Sequence, residues 1–355
     1  MPILNLVINP GQTSTKIAVF EDENQVFVEN IRHKSEEIDS FPSVAAQKGF
    51  RERLVLESLE KHGINVYDLD CVTARGGDLK PISGGTYIID DDLVRDSIIG
   101  PQGHHPSNVG AIIADEIAKK VGIPAYTVDP PTVDELSKIS KYSGCPEIKK
   151  TSLMHALNQK AIAKRYAKET GRKYEELNLI ICHMGGGISV CAHKNGLICD
   201  AQNALTGGGP FTPQRSGSLP WGPVVELCFS GKYTEKEIED LFTKKSGLLA
   251  YTGIGDVRTI TEKAIAGDEV CEEAMEAFHY GIAKEIGALA TVFDGKVDQI
   301  IFTGGIAFSE YTISALKKKI GWIAPVSVYP GEDEMRALCE GALRVINGLE
   351  EAKKY

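Results

Sequence analysis

Two glycine-containing turns of similar design lie about half the chain apart in this sequence of 355 residues. Each turn separates two short apolar runs, at 5–20 and 179–192, that are typical of paired strands. Backbone amides of a glycine turn, with hydroxyl groups and a lysine, can bind phosphate, although the G-K-S/T ending of a Walker motif is absent. A polar hairpin is the alternative. The candidate phosphate ligands of the first turn are Asn9, Gly11, Thr13, Ser14 and Lys16.

The second turn follows His183 and contains three consecutive glycines, Gly185, Gly186 and Gly187. Glycines in a row at a strand end indicate that the backbone must approach another group closely. His183 could donate a hydrogen bond to a phosphoryl oxygen during transfer, and a purely structural histidine is the alternative. Because Asn9 holds the corresponding place in the first turn, an internal duplication is the simplest explanation of both turns.

A third glycine element stands at the end of another apolar run, where Gly304, Gly305 and Ile306 precede a predicted helix. The start of a helix attracts anions, so this element suits the ribose or the α-phosphate of a nucleotide. Tight packing of the helix against its strand would also require glycine.

Charged residues stand beside glycine-containing turns and loops or at the ends of predicted elements. Arg75 precedes two glycines and Arg215 lies in a loop rich in glycine and proline, so either guanidinium could bind a carboxylate or a phosphoryl group. Asp129 ends a predicted strand before two prolines and could orient magnesium or a nucleophile. Glu332, Asp333 and Glu334, at the start of the last helix, could reach magnesium. Surface ion pairs, helix capping and a helix-dipole interaction are the alternatives.

The composition excludes several classes of protein. The formal net charge is −10 with no long basic stripe, which argues against a nucleic-acid partner. No apolar run is long enough to span a membrane, and the N-terminus has the pattern of a first strand and lacks a signal peptide's basic region. We therefore expect a cytoplasmic protein without a membrane partner. The eight cysteines include no C-x-x-C pair, so buried thiols are expected and a zinc site at His104 and His105 is disfavoured.

Mixed strands followed by helices occur twice along the chain, which indicates an α/β protein with a duplicated core. We expect a first domain of residues 1–150 plus a C-terminal helix at about 335–355, and a second domain of residues 151–334. The main predicted elements are helices at 50–61, 109–120, 151–169, about 224–244 and 260–290, and strands at 71–74, 125–128 and from 299.

Taken together, these segments resemble the superfamily of acetate and sugar kinases, heat-shock cognate ATPases and actin, most closely its short-chain fatty acid kinases of the butyrate type. The resemblance extends along nearly the whole chain. The residues that carry it are 7–16, 74–77, 105–108, 154–160, 181–189, Arg215, 256–258 and 302–306.

This resemblance implies two ribonuclease-H-like domains of the actin-like ATPase type with an interdomain cleft, and ATP or ADP with Mg²⁺ as the bound cofactors. It implies reversible transfer of the γ-phosphoryl group to a short-chain carboxylate, such as butyrate or a branched analogue, to give an acyl phosphate. It also implies a homo-oligomer, a dimer or larger, assembled through the second domain.

The family pattern assigns a role to each candidate residue. The turns at Asn9 to Lys16 and after His183 would contact phosphates, and the Gly304 to Ile306 element would meet the adenosine together with Asp256 and Arg258. The residues that the resemblance places in catalysis are Arg75, Asp129, His155, His183 and Arg215. In such a site the protein takes little part in covalent chemistry. It mainly positions the reactants and neutralises their charge.

Two departures from acetate kinases affect these expectations. Those enzymes have an arginine where this chain has Val72, so Arg75 can replace it only if the strand has already ended. They also have a histidine where this chain has Gln159, which places more of the charge stabilisation on Arg215 and His183. An acetate or propionate kinase and a nucleotide-binding regulatory ATPase remain alternatives, whereas a sugar kinase is disfavoured because arginines suit an anionic acceptor.

Overall fold

The computed structural model describes residues 2–355 and divides them into two compact units. The first unit runs to Asp134 and includes Asp333–Tyr355, and the second is Glu135–Glu332. The boundary between the units thus lies after Asp134, whereas we expected it after residue 150. Val133 still pairs with Ile82, whereas the Ser137 amide donates a 2.9 Å hydrogen bond to the Cys199 carbonyl of the second unit's own sheet.

The secondary structure comprises eleven strands and twelve α-helices among residues 2–355. The strands are β1 Leu4–Pro10, β2 Ser14–Glu21, β3 Asn24–Arg32, β4 Cys71–Ala74, β5 Thr86–Ile88, β6 Ala125–Val128, β7 Leu179–Met184, β8 Ile188–Lys194, β9 Leu197–Ala201, β10 Gln299–Gly304 and β11 Val326–Pro330. The helices are α1 Ser35–Asp39, α2 Lys48–Lys61, α3 Asp91–Ile99, α4 Asn108–Val121, α5 Ala156–Thr170, α6 Trp221–Cys228, α7 Glu235–Lys244, α8 Gly247–Thr252, α9 Val257–Ile265, α10 Glu269–Ala290, α11 Glu310–Ile320 and α12 Glu334–Ile346.

The sheet of the first unit has the strand order β3-β2-β1-β4-β6-β5. Strands β1 to β3 are antiparallel, β1, β4 and β6 are parallel, and β5 returns antiparallel. The central strands are nearly continuous apolar runs because α4 covers one face of the sheet and α12 packs against the other. On the first face, Leu6 and Ile8 of β1 belong to one apolar cluster with Ile113 of α4. On the other face, Cys71 of β4 packs in a cluster with Ala342 of α12.

The sheet of the second unit has the order β11-β10-β7-β8-β9. From β9 to β11 it repeats the pattern of β3 to β6, with an antiparallel meander followed by parallel strands. The long helix α10 buries Met275, Phe278, Ile282 and Ile286 against β7 and β8. This repeat of topology confirms the predicted duplicated α/β architecture.

Local patterns predicted several elements correctly and misplaced others. Strands β4 and β6 have the predicted bounds. The helix expected from Thr151 begins only at Ala156, because Leu153 pairs with Asn203 and the Thr151 hydroxyl accepts a 3.0 Å hydrogen bond from the Asn203 amide. The segment predicted as one helix at about 224–244 forms the separate helices α6 and α7. No helix within residues 2–355 is long and apolar enough to cross a bilayer.

Candidate active site

The three-glycine turn joins β7 to β8 and is closed by a 2.9 Å hydrogen bond from the Gly185 amide to the Gly187 carbonyl. A Cβ atom on Gly187 would lie 2.7 Å from Nη1 of Arg215, and one on Gly185 would lie 3.1 Å from Oε1 of Glu332. A Cβ atom on Gly186 would meet nothing within 4 Å. Glycine is therefore required at 187, where Arg215 approaches the backbone, and favoured at 185, where Glu332 approaches it, whereas the space beside Gly186 is open.

His183 is the penultimate residue of β7 and is 1% exposed. Its Nδ1 lies 2.8 Å from Oδ1 of Asn158, whose Nδ2 donates to the Glu332 carbonyl at 3.3 Å. Because the second contact orients the amide, Nδ1 of His183 is the protonated nitrogen and donates to Oδ1. Nε2 makes no hydrogen bond within residues 2–355, although Oε1 of Glu332 lies 3.3 Å away. A buried ring atom without a partner is typical of a group that acts on a ligand.

His155 stacks on His183, with the ring centroids 3.9 Å apart and the planes inclined by 13°. His155 occupies the N-cap position of α5, and its Nδ1 lies 2.7 Å from the Ser189 hydroxyl. Ser189 is the residue of β8 that pairs with His183 across the β7–β8 ladder. The hairpin and the start of α5 together hold both rings beside the glycine turn.

Gln159 of α5, at the position where the resemblance places a histidine in acetate kinases, is fully buried. Its amide nitrogen donates to the Ser189 carbonyl at 2.9 Å, and its oxygen lies 2.9 Å from Nε2 of His193. Both ends of the amide are therefore satisfied by the sheet. Gln159 stabilises the β7–β8 hairpin.

Arg215 lies in the long loop before α6, where its amide donates to the Thr212 hydroxyl at 3.0 Å and its Nη1 donates to the Ala204 carbonyl at 2.9 Å. Burial lowers the pKa of the guanidinium. No carboxylate lies within ion-pair distance of Arg215 in the described part of the chain. A partly desolvated cation without an anion is a ready site for a phosphoryl group.

A cavity of about 720 Å³ opens beside the glycine turn. This volume is in the range of small-molecule sites. Six of the predicted site residues line it, namely Gly185, Gly186, Asp256, Arg258, Gly305 and Ile306. Val257, inside the predicted 256–258 segment, and Glu332, named with Asp333 and Glu334 for magnesium, also line it. Sequence reasoning missed the other lining residues, whose only signal was their nearness to these motifs: Pro213, Gln214, Gly255, Thr261, Glu262, Phe308 and Ser309.

The cavity's predicted polar residues are held by short-range contacts. Asp256 caps α9 and accepts hydrogen bonds from the Thr259 hydroxyl at 2.6 Å and the Thr259 amide at 2.9 Å, which lower the pKa of its carboxyl. Arg258 pairs with Glu262 one turn later at 3.1 Å. Gly304 lies outside the cavity lining and has a φ of 87°, and a Cβ atom there would lie 2.4 Å from the Met184 carbonyl oxygen.

In the first unit, Glu334 joins two predicted site residues. Its Oε2 accepts a 2.7 Å hydrogen bond from Nδ2 of Asn9, and its Oε1 forms an ion pair with Arg75. Arg75 follows the last residue of β4, and its amide donates to the Ile8 carbonyl at 3.0 Å. The backbone of Arg75 thus still contacts β1, and its part in place of the acetate-kinase arginine stays a prediction. Lys16 pairs with Asn9 in the ladder and its side chain is exposed.

The remaining predicted residues of the first unit lie at backbone turns. The Gly11 amide donates to the Ser14 carbonyl at 2.8 Å and closes the first turn, which leaves Thr13 exposed at its tip. Asp129 is 2% exposed, and its Oδ1 accepts a 2.7 Å hydrogen bond from the Gly85 amide, so one carboxylate oxygen is engaged. Asp333 adopts a φ of 30° at the start of α12.

No three histidine, cysteine, aspartate or glutamate side chains form a metal-binding group among residues 2–355. Glu334 and Asp333 would therefore contribute at most one or two ligands. That donor set fits Mg²⁺, which usually retains water and takes its other ligands from substrate phosphates.

Comparisons with known proteins give the family of the chain. Residues 148–320 match the model of the acetokinase family. The chain is 52% identical to butyrate kinase 2 of Clostridium acetobutylicum over 350 residues, 99% of this chain and 98% of that protein. It is 49% identical to butyrate kinase 1 of the same organism, with 99% of each chain covered.

A crystal structure of acetate kinase from Porphyromonas gingivalis has the same fold, with a TM-score of 0.80, 20% identity, and coverage of 97% of this chain and 100% of that one. This fold is the duplicated ribonuclease-H-like architecture of actin-like ATPases. Identity of about half over nearly the full length is far above what a shared fold alone requires. The chain therefore belongs to the acetokinase family.

Proposed function

We propose that this protein catalyses the reversible, ATP-dependent phosphorylation of a short-chain carboxylic acid, which makes it a phosphotransferase with a carboxyl group as acceptor. A carboxylate oxygen forms a bond to the γ-phosphorus, the bond from that phosphorus to the β–γ bridging oxygen breaks, and ADP leaves with the electron pair. The products are ADP and an acyl phosphate. The observation that carries the proposal is Arg215, a partly buried cation with no carboxylate partner in the described chain, beside the His155–His183 stack and the three-glycine turn.

The cavity of the second unit is the proposed nucleotide site. Its volume of about 720 Å³ suits a nucleotide, and its lining brings Gly305 and Ile306 together with Asp256 and Arg258. We assign the adenosine to these four residues. The phosphates would extend to Gly185 and its neighbours, where the glycine backbone allows close approach.

The proposed catalysis relies on electrostatic stabilisation and on position. Arg215 would bind oxygens of the phosphoryl group through two N–H donors, and His183, when it carries a proton on Nε2 as well as on Nδ1, would donate from Nε2 to the same group. His155 would hold the His183 ring in place through the stack. Charge on the phosphoryl oxygens would then be neutralised by groups that are already oriented before the substrates bind.

The first unit supplies the proposed acid site. Arg75 would exchange the carboxylate of Glu334 for that of the substrate, and Asn9 would be released from Glu334 in the same step. The turn from Gly11 to Lys16 would contact phosphate oxygens, and Asp129 would align the attacking carboxylate. Mg²⁺, when bound through Glu334 or Asp333, supplies charge neutralisation on the nucleotide phosphates.

The names of the relatives favour an acid of four carbons over acetate. Butyrate exceeds acetate by two methylenes, and burial of each contributes about 0.8 kcal/mol. We therefore expect kcat/KM for butyrate to exceed that for acetate by about ten- to twenty-fold. The test is acyl-phosphate formation from ATP and Mg²⁺, trapped as the hydroxamate, with acetate, propionate, butyrate, isobutyrate and isovalerate. A higher kcat/KM with four- and five-carbon acids supports a kinase of the butyrate type. A higher kcat/KM with acetate or propionate indicates an acetate or propionate kinase. ATP hydrolysis that is indifferent to every acid would favour a regulatory ATPase.

We also propose that the protein is a homo-oligomer assembled through the second unit. Helix α6 buries none of its residues: Trp221, its first residue, is 82% exposed, and Phe229, directly after its last residue, is 86% exposed. Apolar side chains this exposed and this close together are typical of an interface. Light scattering should give a mass of at least two chains for the wild type and a smaller mass for Trp221→Glu. Wild-type protein that is monomeric at micromolar concentration would contradict the proposal.

A further inference from the structure

Arg51 of α2 is a fully buried arginine beneath the first turn, with a side chain that is 0% exposed. Arginine is almost never buried completely unless a carboxylate compensates its charge. No carboxylate lies within ion-pair distance of Arg51 in the described chain, and burial alone lowers its pKa to about 10. The side chain therefore stays charged at neutral pH.

The partners of Arg51 come mainly from the turn that we assign to phosphate binding. Nη1 donates to the Ser14 carbonyl and to the Thr15 hydroxyl, both at 2.9 Å, and Nη2 donates to the Gln12 carbonyl at 3.2 Å. Nε donates to the side-chain oxygen of Gln47 at 3.0 Å. One guanidinium thus holds two carbonyls and one hydroxyl of a single hairpin in place.

This arrangement orients the exposed face of the turn. Because a trans peptide is planar with its C=O and N–H antiparallel, the Gln12 carbonyl on Arg51 directs the Thr13 amide away from the guanidinium. The Thr13 amide has no backbone partner among the described residues. The turn therefore presents a free donor on one side and a weakly screened positive charge beneath.

A neutral histidine completes the support. Nε2 of His33 lies 2.8 Å from the Thr15 hydroxyl, and the His33 amide donates to the Thr13 carbonyl at 2.9 Å. Burial, and then the neighbouring charge of Arg51, lowers the pKa of His33 to about 4. The arginine is therefore the single positive charge in this buried network at neutral pH.

We propose that Arg51 is a positioning residue for phosphate binding, which shapes the first turn from below and adds a buried positive charge to it. The inference rests on the proposed function and goes beyond it, because Arg51 touches neither the nucleotide nor the acid. A purely structural arginine would stabilise the fold without any preference for ligands that carry phosphate.

The test compares Arg51→Met and Arg51→Lys with Arg53→Met in the full chain. Arg53 lies on the same helix, but its side chain is 57% exposed and pairs with Glu57, so it is a matched control. Lysine keeps the charge but lacks the planar fork that holds two carbonyls at once. Calorimetry would give the dissociation constants of ATP and of adenosine, and thermal unfolding would report whether each variant is folded.

We expect Arg51→Met to weaken ATP binding by about ten-fold or more, on the scale of lost charge-assisted hydrogen bonds, with adenosine changed less than two-fold. Arg51→Lys should fall between this variant and the wild type, and Arg53→Met should match the wild type. Should Arg51→Met not fold, a loss of ATP affinity without loss of adenosine affinity in Arg51→Lys supports the proposal by itself. Equal losses for both ligands, or unchanged ATP affinity in a folded variant, would overturn it.

The same data separate this proposal from the function on which it rests. Wild-type protein that binds ATP more tightly than adenosine but makes no acyl phosphate would overturn the kinase function alone, and the variants would still decide the role of Arg51. Wild-type protein that binds the two ligands equally would overturn both.

Discussion

The imidazole rings of His155 and His183 stack with their centroids 3.9 Å apart and their planes inclined by 13°, although one residue is the N-cap of α5 and the other is the penultimate residue of β7. Each ring is fixed by its own partner, His155 by the Ser189 hydroxyl and His183 by Asn158. The stack therefore has no rotational freedom at the glycine turn. We expect this fixed ring orientation to serve the proposed phosphoryl transfer.

His183→Ala should lower kcat by about 10² while the protein stays folded, because the substitution removes one hydrogen bond, from Nδ1 to Asn158, and the stack on His155, whereas Nε2 makes no protein hydrogen bond. Asn158→Leu, which leaves the ring but removes its Nδ1 partner, should cause a smaller loss. The measurement is hydroxamate formation alongside thermal unfolding. Normal kcat with a lowered Tm would show that His183 is structural.

Arg215→Ala should reduce kcat by about 10² to 10³, the scale seen when a stabiliser of transition-state charge is removed. Arg172→Ala is the matched control, because that arginine is an exposed partner of Asp298 in the same unit. Steady-state kinetics with saturating ATP and acid would give both values. Near-wild-type turnover in Arg215→Ala would remove this residue from the mechanism.

Adjacent glycines at the end of β10 should respond differently to alanine. Gly304→Ala places a Cβ atom 2.4 Å from the Met184 carbonyl oxygen at a φ of 87°, so it should destabilise the protein by about 1–3 kcal/mol or more. A Cβ atom on Gly305 meets nothing within 4 Å but lies on the cavity. Gly305→Ala should therefore stay as stable as the wild type and raise the KM for ATP. Urea unfolding and kinetics measure the two effects, and equal stability of both variants would contradict the argument.

Stability should fall in mild acid because of buried histidines. Burial, with a smaller contribution from Lys160, lowers the pKa of His193 to about 3, below the value of about 6.5 expected in the unfolded chain. Between these values the unfolded state binds the proton and the folded state does not, so this contribution is complete above pH about 6.5 and is lost as the pH falls toward 3. His33 and His279, with pKa values of about 4, act in the same direction.

Urea unfolding between pH 7.5 and 4.5 would measure this loss. His193→Gln should reduce the proton uptake on unfolding by about one per molecule over that range, whereas His104→Gln, at an exposed position, serves as the control. Identical pH slopes for wild type and His193→Gln would show that His193 does not take part.

Much of the fold follows from patterns that are local in the chain. Short apolar runs interrupted by glycine predict the β1–β2 and β7–β8 hairpins, because a hairpin joins neighbours in sequence and needs only a turn that glycine permits. The recurrence of this plan, followed by helices, was enough to predict the duplicated α/β fold. The start of α5 was predicted wrongly because residues 151–155 are held by Asn203, a partner that no local pattern reveals.

The candidate site was predictable only as a set of residue types. Glycines, arginines and histidines in family order indicated a carboxylate kinase, and their individual roles stay predictions. Sequence reasoning could not show that Gln159 hydrogen-bonds to the sheet or that Phe308 lines the cavity. It also could not show that Arg51 is buried, unlike the other charged residues of α2. A charged helical residue is usually solvated, so nothing local distinguished Arg51 from Arg53.

The sequence by itself determined the turns, the two repeated sheets and the kind of chemistry that these side chains support, since these depend on residue type and short spacing. Only the tertiary structure decided which distant groups meet. Glu334 joins Asn9 and Arg75 across nearly the whole chain, and the hairpin brings His183 onto His155. The physical reason is that helix and strand periodicity are local, whereas burial and charge pairing depend on contacts that form only when the sheets and helices pack.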